Sequence, residues 1–326
     1  MKIAIIADAN KILGMGHVYQ SMALSALLKK THPQIEIYFL TKSSIEIIKL
    51  IQQQGNDVVY CKDNDSIYNN LKVNNPDRVI FDNIDVSADL AKSIKQNLGL
   101  KLIIFTNLSA ANKYADVTVM AGMGNDLKNG VFTDTQTGRK EFSGPRYWIL
   151  RQEFEFLKKT KPIIENIENI LLIFGGSDQA NLSSLVLKQL LKIDKKFNIT
   201  LILGASFEYR EQVNSAVNNA SSKSNVIIHS GSNKVAQMMY NNDLVFVSPG
   251  LSFFESLIIG TPVICFHQND FQMKAWDGLI KTYDKNNLDI IPELIERRMF
   301  IFPNDEFIVS MDIGNGKNEI VSEIVN

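Results

Sequence analysis

The amino-acid sequence predicts an α/β protein made of two Rossmann-like domains, each a doubly wound parallel sheet with helices on both faces. Short runs rich in Ile, Val and Phe alternate with longer amphipathic stretches. This pattern is typical of parallel strands that are buried on both faces. The alternation pauses near residues 122–142 and then resumes. A chain of 326 residues is long enough for two domains of ordinary size.

The first half contains six apolar runs that predict strands and three amphipathic stretches that predict helices. In the first of these stretches, Val18, Met22 and Ala26 lie on one face at the 3.6-residue period. Strand–helix–strand alternation implies right-handed crossovers, and therefore a parallel sheet. The predicted strands are residues 2–7, 36–40, 58–60, 78–81, 101–105 and 117–120, and the predicted helices are residues 18–30, 45–54 and 90–97.

The second half repeats the architecture without repeating the sequence. Beyond residue 281 only residues 317–325 keep a helical pattern. The Gly-rich stretch and the Gly-Pro pair at 144–145 indicate the junction. The predicted strands are 169–174, 198–203, 226–229, 244–247 and 263–266, and the predicted helices are 181–191, 209–218, 234–240 and 252–260. We therefore predict an N-terminal domain (1–145), a linker (146–165) and a C-terminal domain (166–326) whose last helix could cross back.

Composition excludes several classes of protein. There are 34 basic and 35 acidic residues, so the basic surplus that is typical of nucleic-acid-binding proteins is missing. No apolar run approaches the 18 or so residues of a membrane span, and the run at 3–7 is too short for a signal peptide. Cys61 and Cys265 are far apart, which indicates two buried thiols rather than a disulfide or a zinc site. We expect a cytoplasmic protein, and the sequence does not specify its oligomeric state.

The first loop whose residues suit ligand binding or catalysis follows the first predicted strand. Residues 14–17 read Gly-Met-Gly-His and open the first helix, where glycines permit close backbone approach and the helix N-terminus attracts phosphate. The dinucleotide fingerprint is incomplete, because Tyr19 stands where it needs glycine. His17 suits a general base, since the helix dipole disfavours its charged form. A structural histidine bonded to a loop carbonyl explains the residue equally well.

A second glycine loop follows the first strand of the second half. Residues 174–178 read Phe-Gly-Gly-Ser-Asp, and their glycines again suit the close approach of an anion. Asp178 or Asn181 could equally be only the N-cap of the helix that follows. The residues leave both interpretations open.

Two further polar segments follow strands of the second half. Residues 248–255 read Ser-Pro-Gly-Leu-Ser-Phe-Phe-Glu. Ser252 and Glu255 are spaced as a capping box, with Ser252 as the N-cap. Alternatively, Glu255 accepts hydrogen bonds from ribose hydroxyls. Residues 267–272, His-Gln-Asn-Asp-Phe-Gln, form the last polar cluster.

These loops occur in the same order and spacing in a known family. Together with residues 144–154, Gly-Pro-Arg-Tyr-Trp-Ile-Leu-Arg-Gln-Glu-Phe, they resemble the UDP-2,4-diacetamido-2,4,6-trideoxy-β-L-altropyranose hydrolases of pseudaminic acid biosynthesis and the related spore coat polysaccharide biosynthesis proteins. The resemblance extends to about residue 272. It implies the GT-B fold, in which two such domains face each other across a cleft. Residues 144–154 are its most specific part, because the predicted architecture alone does not demand them.

The resemblance also implies roles for individual residues. It implies that His17 activates water, that no cofactor takes part and that no metal is bound. The implied nucleotide and phosphate residues are Gly16, Gly175, Gly176, Ser177, Gly250, Ser252 and Glu255, and the implied sugar-binding residues are Asp82, Asp270 and Gln272. Glu255 would take the ribose hydroxyls, and Gly250 and Ser252 the phosphate.

The sequence also departs from the family pattern near the sugar. Gln20 stands where the family has arginine, and residues 81–85 keep Asp82 but lose a tyrosine. The resemblance implies a metal-independent hydrolase that cleaves the anomeric C–O bond of a UDP-activated deoxyamino sugar, in surface polysaccharide or nonulosonic acid biosynthesis. Two alternatives remain, a GT-B glycosyltransferase and a non-catalytic nucleotide-sugar-binding protein. The expected partner is a nucleotide sugar, with no nucleic acid and no stable membrane insertion.

Overall fold

The computed structural model describes residues 1–10, 14–122, 129–157, 166–204, 206–220, 223–232 and 234–326. The chain divides into two compact units. The first contains Met1–Arg151 and Met311–Asn326, and the second contains Gln152–Ser310. Residues 158–165 of the predicted linker lie outside the described residues. Within those ranges, no helix has both the length and the apolarity needed to cross a membrane.

The first unit is built on an eight-stranded sheet in the order β3-β2-β1-β4-β5-β6-β8-β7. All neighbouring strands are parallel except the pair β7–β8. Strand β1 lies between β2 and β4, and every residue from Ile3 to Ala7 is buried, which explains its continuously apolar sequence. The strands are β1 Lys2–Ala7, β2 Glu36–Thr41, β3 Asp57–Tyr60, β4 Arg78–Asp82, β5 Lys101–Phe105, β6 Val117–Met120, β7 Gly130–Thr133 and β8 Lys140–Ser143.

Four helices of the first unit follow its strands. Helix α3 is polar, with only Ile67 and Leu71 buried, because most of its surface faces solvent. Helix α4 continues into a π-helical segment, Ile94–Leu98, so the single helix predicted at 90–97 is divided. These helices are α1 Gly16–Thr31, α2 Ile45–Gln53, α3 Asn64–Asn74 and α4 Ala88–Ser93.

The second unit has a five-stranded sheet in the order β11-β10-β9-β12-β13, with all neighbours parallel. Its core packs Leu172, Phe246 and Phe266 among the surrounding helices. The strands are β9 Asn169–Ile173, β10 Asn198–Leu203, β11 Asn225–Ser230, β12 Leu244–Val247 and β13 Val263–Cys265. The helices are α5 Gln152–Phe156, α6 Leu182–Leu190, α7 Arg210–Asn218, α8 Val235–Asn241, α9 Leu251–Ile259, α10 Asp270–Trp276, α11 Ile291–Glu296 and α12 Glu306–Ser310.

The last segment of the chain packs on the first unit. It contains helix α13, Lys317–Val325. The guanidinium of Arg146 pairs with Asp312 and lies 2.6 Å from Glu319 Oε1, and the hydroxyl of Tyr147 donates to Glu319 Oε2 at 3.0 Å. A Cβ at Gly316 would lie 2.5 Å from the Tyr147 ring, so only glycine fits there. Arg146 and Tyr147 therefore hold the last segment of the chain on the first unit, a structural role that the predicted architecture did not reveal.

The predicted fold class is confirmed. Each predicted strand is present with its ends within one residue of the prediction. The prediction missed the hairpin β7–β8, because β7 is largely exposed and shows no apolar run. Cys61 and Cys265 are free and buried, as expected, and burial raises the pKa of both thiols.

Candidate functional site

A histidine and an aspartate meet at the carboxyl end of the first sheet. Asp82 ends β4 next to the end of β1, and His17 is the second residue of α1. His17 Nδ1 lies 2.8 Å from Asp82 Oδ1, and the two side chains are 12% and 2% exposed. Because a carboxylate only accepts hydrogen bonds, Nδ1 carries the hydrogen and the lone pair of the neutral ring is on Nε2. Nε2 has no partner among the described residues.

The Asp82 carboxylate is occupied by side chains of its own unit. Its Oδ2 accepts from Gln20 Nε2 at 2.9 Å and from Ser21 Oγ at 3.2 Å. The family resemblance implies that Asp82 contacts the sugar; in the structure its side chain is buried and both of its oxygens are bonded to side chains of the same unit, one of them to His17. Gln20, which replaces the arginine of the resembled family, holds this carboxylate in place.

A second carboxylate lies at the same edge, and the sequence reasoning did not select it. Asp8 follows β1 directly, and its Oδ1 accepts from Lys42 N at 2.6 Å and from Thr41 Oγ1 at 3.1 Å. The Asp8 N–H donates to Asn83 Oδ1 at 3.0 Å. An acid immediately after the first strand was the available signal, because the carboxyl ends of such strands are where ligands bind.

The loop before α1 presents backbone rather than side chains. Gly14 has a φ of 70°, a left-handed conformation that favours glycine. Met15 is the N-cap of α1 and makes no side-chain capping bond. Gly16, the first helical residue, is exposed. The position fits the predicted anion-binding role, since the first N–H groups of a helix need an outside partner.

The glycine loop after β9 is held by the backbone that follows β10. Gly175 has a φ of 85°. A Cβ at Gly204 would lie 2.3 Å from Gly176 O, and Ser206 N donates to that same oxygen at 3.0 Å. The end of β10 therefore fixes the position of Gly176, while Ser177, the next residue, stays partly exposed.

The helix N-terminus after this loop is closed by an acid from the loop itself. The carboxylate of Asp178 accepts from Leu182 N at 2.8 Å and from Ser183 N at 2.7 Å, whereas Asn181, at the N-cap position, makes no side-chain cap. Asp178 is 3% exposed. Its burial raises the pKa of the carboxyl group, against the opposing effect of the N–H donors. The capping interpretation of Asp178 is therefore confirmed, and this carboxylate occupies the first two N–H groups of α6.

The N-terminus of helix α9, unlike that of α6, has no side-chain cap among the described residues. The helix starts at Leu251 with Gly250 as its N-cap, at a φ of 145°. The predicted capping box is wrong, because Ser252 lies inside the first turn rather than at the N-cap. The first turn of α9, with Gly250 and Ser252, is thus where an anion would find unoccupied N–H groups. Glu255 is 1% exposed and already has a partner in the chain, so a ribose can reach it only if its surroundings move.

The predicted sugar residues of the last cluster have different surroundings. Asp270 begins α10 and is exposed. Gln272 uses both ends of its amide within the protein, because Oε1 accepts from Gln268 N at 2.8 Å and Nε2 donates to Pro249 O at 3.1 Å. Gln272 therefore links two loops, and Asp270 is the member of the pair that is accessible to a ligand.

The polar cluster at residues 267–272 begins with another histidine near a sheet edge, His267. His267 is buried, with Nδ1 3.1 Å from Thr282 Oγ1 and Nε2 3.2 Å from Asp284 Oδ2. A backbone hydrogen bond from Asn286 and the contact with His267 lower the pKa of Asp284. Both ring nitrogens are engaged, so this histidine has no free site for proton transfer. In the described part of the chain, no group of three or more His, Cys, Asp and Glu residues is arranged to hold a metal.

Comparison with solved structures identifies the fold as GT-B. MurG of Acinetobacter baumannii superposes with a TM-score of 0.62 at 15% identity, over 100% of this chain and 99% of MurG. The UDP-GlcNAc 2-epimerase of Neisseria meningitidis, bound to UDP-GlcNAc, gives a TM-score of 0.60 at 11% identity, over 100% of this chain and 99% of that chain. These likenesses establish the architecture of two Rossmann-like units.

Sequence comparison finds relatives in an archaeon and a bacterium. An uncharacterized protein of Methanocaldococcus jannaschii is 39% identical over 330 residues, which cover 100% of this chain and 66% of that protein. The chain thus spans slightly less than two thirds of this relative's length. The spore coat polysaccharide biosynthesis protein SpsG of Bacillus subtilis is 26% identical over 277 residues, covering 83% of this chain and 79% of SpsG. No family model matches the chain.

Proposed function

We propose that the chain is a nucleotide-sugar enzyme of polysaccharide biosynthesis, and specifically a metal-independent hydrolase of a UDP-activated deoxyamino sugar. The observation that carries the proposal is the pair His17–Asp82, in which Nδ1 is held at 2.8 Å and Nε2 has no described partner. The relative SpsG is named for spore coat polysaccharide biosynthesis. A fold relative, the Neisseria epimerase, binds UDP-GlcNAc. The first supports a role in polysaccharide biosynthesis, and the second supports a nucleotide-sugar substrate.

The histidine would act as the general base. Nε2 of His17 takes a proton from water, the water oxygen bonds to the anomeric carbon, and the C–O bond to the diphosphate breaks, with its electron pair leaving on UDP. Asp82 keeps the ring in the required tautomer and balances the positive charge that forms on it. Asp82 is thus a positioning residue in this mechanism.

The second unit would hold the nucleotide. We assign the diphosphate to the N-terminus of α9, at Gly250 and Ser252, because these N–H groups lack a side-chain cap among the described residues. The backbone of residues 175–177 would contribute further donors. Glu255 would bind the ribose after its surroundings move, and Asp270 would face the sugar. A helix N-terminus can stabilise the departing diphosphate without a metal ion.

A glycosyltransferase is the second candidate. A general base at His17 serves a sugar or lipid hydroxyl as well as water, and the architecture is shared with glycosyltransferases such as CalG4, at a TM-score of 0.61. In that reaction, the acceptor oxygen replaces water and the remaining steps are unchanged.

One experiment separates the candidates. The protein is incubated with UDP-, GDP-, CDP- and dTDP-sugars, with and without cell extract, and nucleotide release is followed. Release without extract supports the hydrolase, and release only with extract supports the transferase. Binding of UDP with intact sugars would indicate a non-catalytic protein, and a product epimerised at C2 would contradict both enzymatic proposals. EDTA should leave the rate unchanged; if EDTA abolishes turnover, the metal-free mechanism is wrong.

A further inference from the structure

Three neighbouring strands of the second sheet end side by side. Strand β12 pairs with β9 on one side and with β13 on the other, and Val247 at its end is in register with both Ile173 and Cys265. The loops that follow these strands carry the residues assigned above to the diphosphate. Gln268 lies in the loop that follows β13, and its side chain contacts the loops that follow β9 and β12.

The carboxamide of Gln268 bonds to both neighbouring loops. Its Nε2 lies 3.0 Å from Phe174 O, 3.1 Å from Asp178 Oδ1 and 3.0 Å from Ser248 Oγ. Its Oε1 accepts from Ala180 N at 2.9 Å. The orientation of the amide is determined, because a carbonyl and a carboxylate can only accept and must therefore face the nitrogen. Two amide hydrogens serve three oxygen atoms, so the side-chain nitrogen has no hydrogen left to donate to a ligand.

A second amide extends the connection to the start of α9. Gln272 accepts from Gln268 N at 2.8 Å and donates to Pro249 O at 3.1 Å, next to Gly250. The two glutamines thus join the glycine loop after β9 to the residues just before α9. The described partners of the Gln268 side chain, Phe174, Asp178, Ala180 and Ser248, all belong to loops rather than to strands.

We propose that Gln268 is a positioning residue that sets the separation between the glycine loop, residues 174–178, and the N-terminus of α9. This inference rests on the proposed function, in which these two segments both supply backbone donors to one diphosphate. Gln268 does not touch the nucleotide. It keeps two sets of backbone N–H donors at the spacing that a diphosphate requires, because misplacing preorganised donors weakens binding of the group they serve.

The test compares UDP with uridine, which lacks the diphosphate. Gln268→Glu keeps the shape but cannot donate, and it places a negative charge against Asp178. We expect its Kd for UDP to rise by about tenfold or more, which corresponds to about 1.4 kcal/mol of lost binding free energy. Its Kd for uridine should change less than about twofold, because no uridine contact is altered. Gln237→Glu, the same change at an exposed glutamine on α8, is the matched control and should leave both constants unchanged.

The outcomes distinguish this inference from the proposed function. Wild-type protein that binds no UDP refutes both. Wild-type binding with unchanged UDP affinity in Gln268→Glu refutes the positioning role alone, and so does an equal loss for UDP and uridine, which would indicate general support of the fold. If thermal unfolding shows that Gln268→Glu does not fold, Gln268→Met replaces it. That variant keeps the length and adds no charge, and it must show the same selective loss of UDP binding.

Discussion

Among the described residues, each unit has a histidine bonded to an aspartate, and the two pairs differ in which ring nitrogens already have a partner. His17 offers Nδ1 to the buried Asp82, at 2.8 Å, and has no described partner at Nε2. His267 offers both nitrogens, one to Thr282 and the other to Asp284, whose side chain is 39% exposed. The first pair has the arrangement of an acid-oriented general base. The second pair connects two loops through hydrogen bonds.

The difference shows that a His–Asp contact at a sheet edge is not in itself a catalytic signal. Both histidines lie close to the carboxyl edge of a parallel sheet, where ligands of such folds bind. What separates them is the second ring nitrogen, because proton transfer needs one nitrogen held and the other available. The following predictions test this contrast, from the largest expected effect to the smallest.

The largest effect is expected for His17→Asn. Losing a general base typically costs about 10²–10⁴-fold in rate, so turnover should fall by that amount while UDP affinity stays nearly intact. Steady-state kinetics and calorimetry on the same preparation measure both quantities. The matched change His267→Asn should keep turnover and lower thermal stability. Equal turnover in the two variants would remove the contrast, and loss of UDP binding in His17→Asn would make this residue a phosphate ligand.

Asp82→Asn should give the next largest effect. An amide can donate to Nδ1 and so stabilise the wrong tautomer, and we expect kcat to fall by about 100-fold or more with little change in KM. The pH profile of kcat should change as well, because the base is no longer oriented. A rise in KM at unchanged kcat would instead show that Asp82 contacts the sugar, as the family resemblance implies.

Glu255→Gln tests the ribose assignment in the second unit. A carboxylate bonded to hydroxyls contributes about 1.5–3 kcal/mol, so calorimetry should show a correspondingly weaker UDP complex. The capping-box explanation is no longer available for Glu255, since α9 begins at Leu251. An unchanged UDP affinity with a lower melting temperature would assign the buried carboxylate to the core of the unit.

The smallest effect is a pH dependence of stability at the second pair. The pKa of Asp284 is lowered in the folded protein, so its stabilising contribution is present above its unfolded pKa of about 3.9 and is lost as the pH falls through the lower folded value. Asp284→Asn should therefore flatten the decrease in unfolding free energy below about pH 4. Denaturant titrations across that range measure it. Asp289→Asn, at an exposed aspartate of the same unit, should keep the wild-type slope.

The fold was readable from the sequence because its strands are buried on both faces. Such strands need apolar residues at every position, so β1 and β5 are visible as unbroken runs. The hairpin strand β7 could not be predicted from the sequence. It is largely exposed and packs no face against the core, so its sequence needs no apolar run. The polar helix α3 carries a similarly weak signal, with two buried residues in eleven.

For the candidate site, the sequence indicated the residues but not the contacts between them. His17 and Asp82 each stand out beside a predicted element, but their contact depends on β1 and β4 being neighbours although 65 residues separate the pair. The three loops joined by Gln268 belong to strands that become neighbours only in the folded sheet. Residue type and spacing indicate which segments carry chemistry, whereas the strand order decides which side chains meet.

The return of residues 311–326 to the first unit has a consequence for how the chain acquires its structure during synthesis. Arg78 Nε donates to Ile324 O at 3.1 Å, across 246 residues of sequence, and Lys140 Nζ lies 2.7 Å from Glu323 Oε2. On the ribosome, the second unit emerges in full before these partners do. The first unit, although it is translated first, is therefore completed last. The unit that holds His17 therefore depends on contacts of high sequence separation that can form only after residues 311–326 have been synthesised.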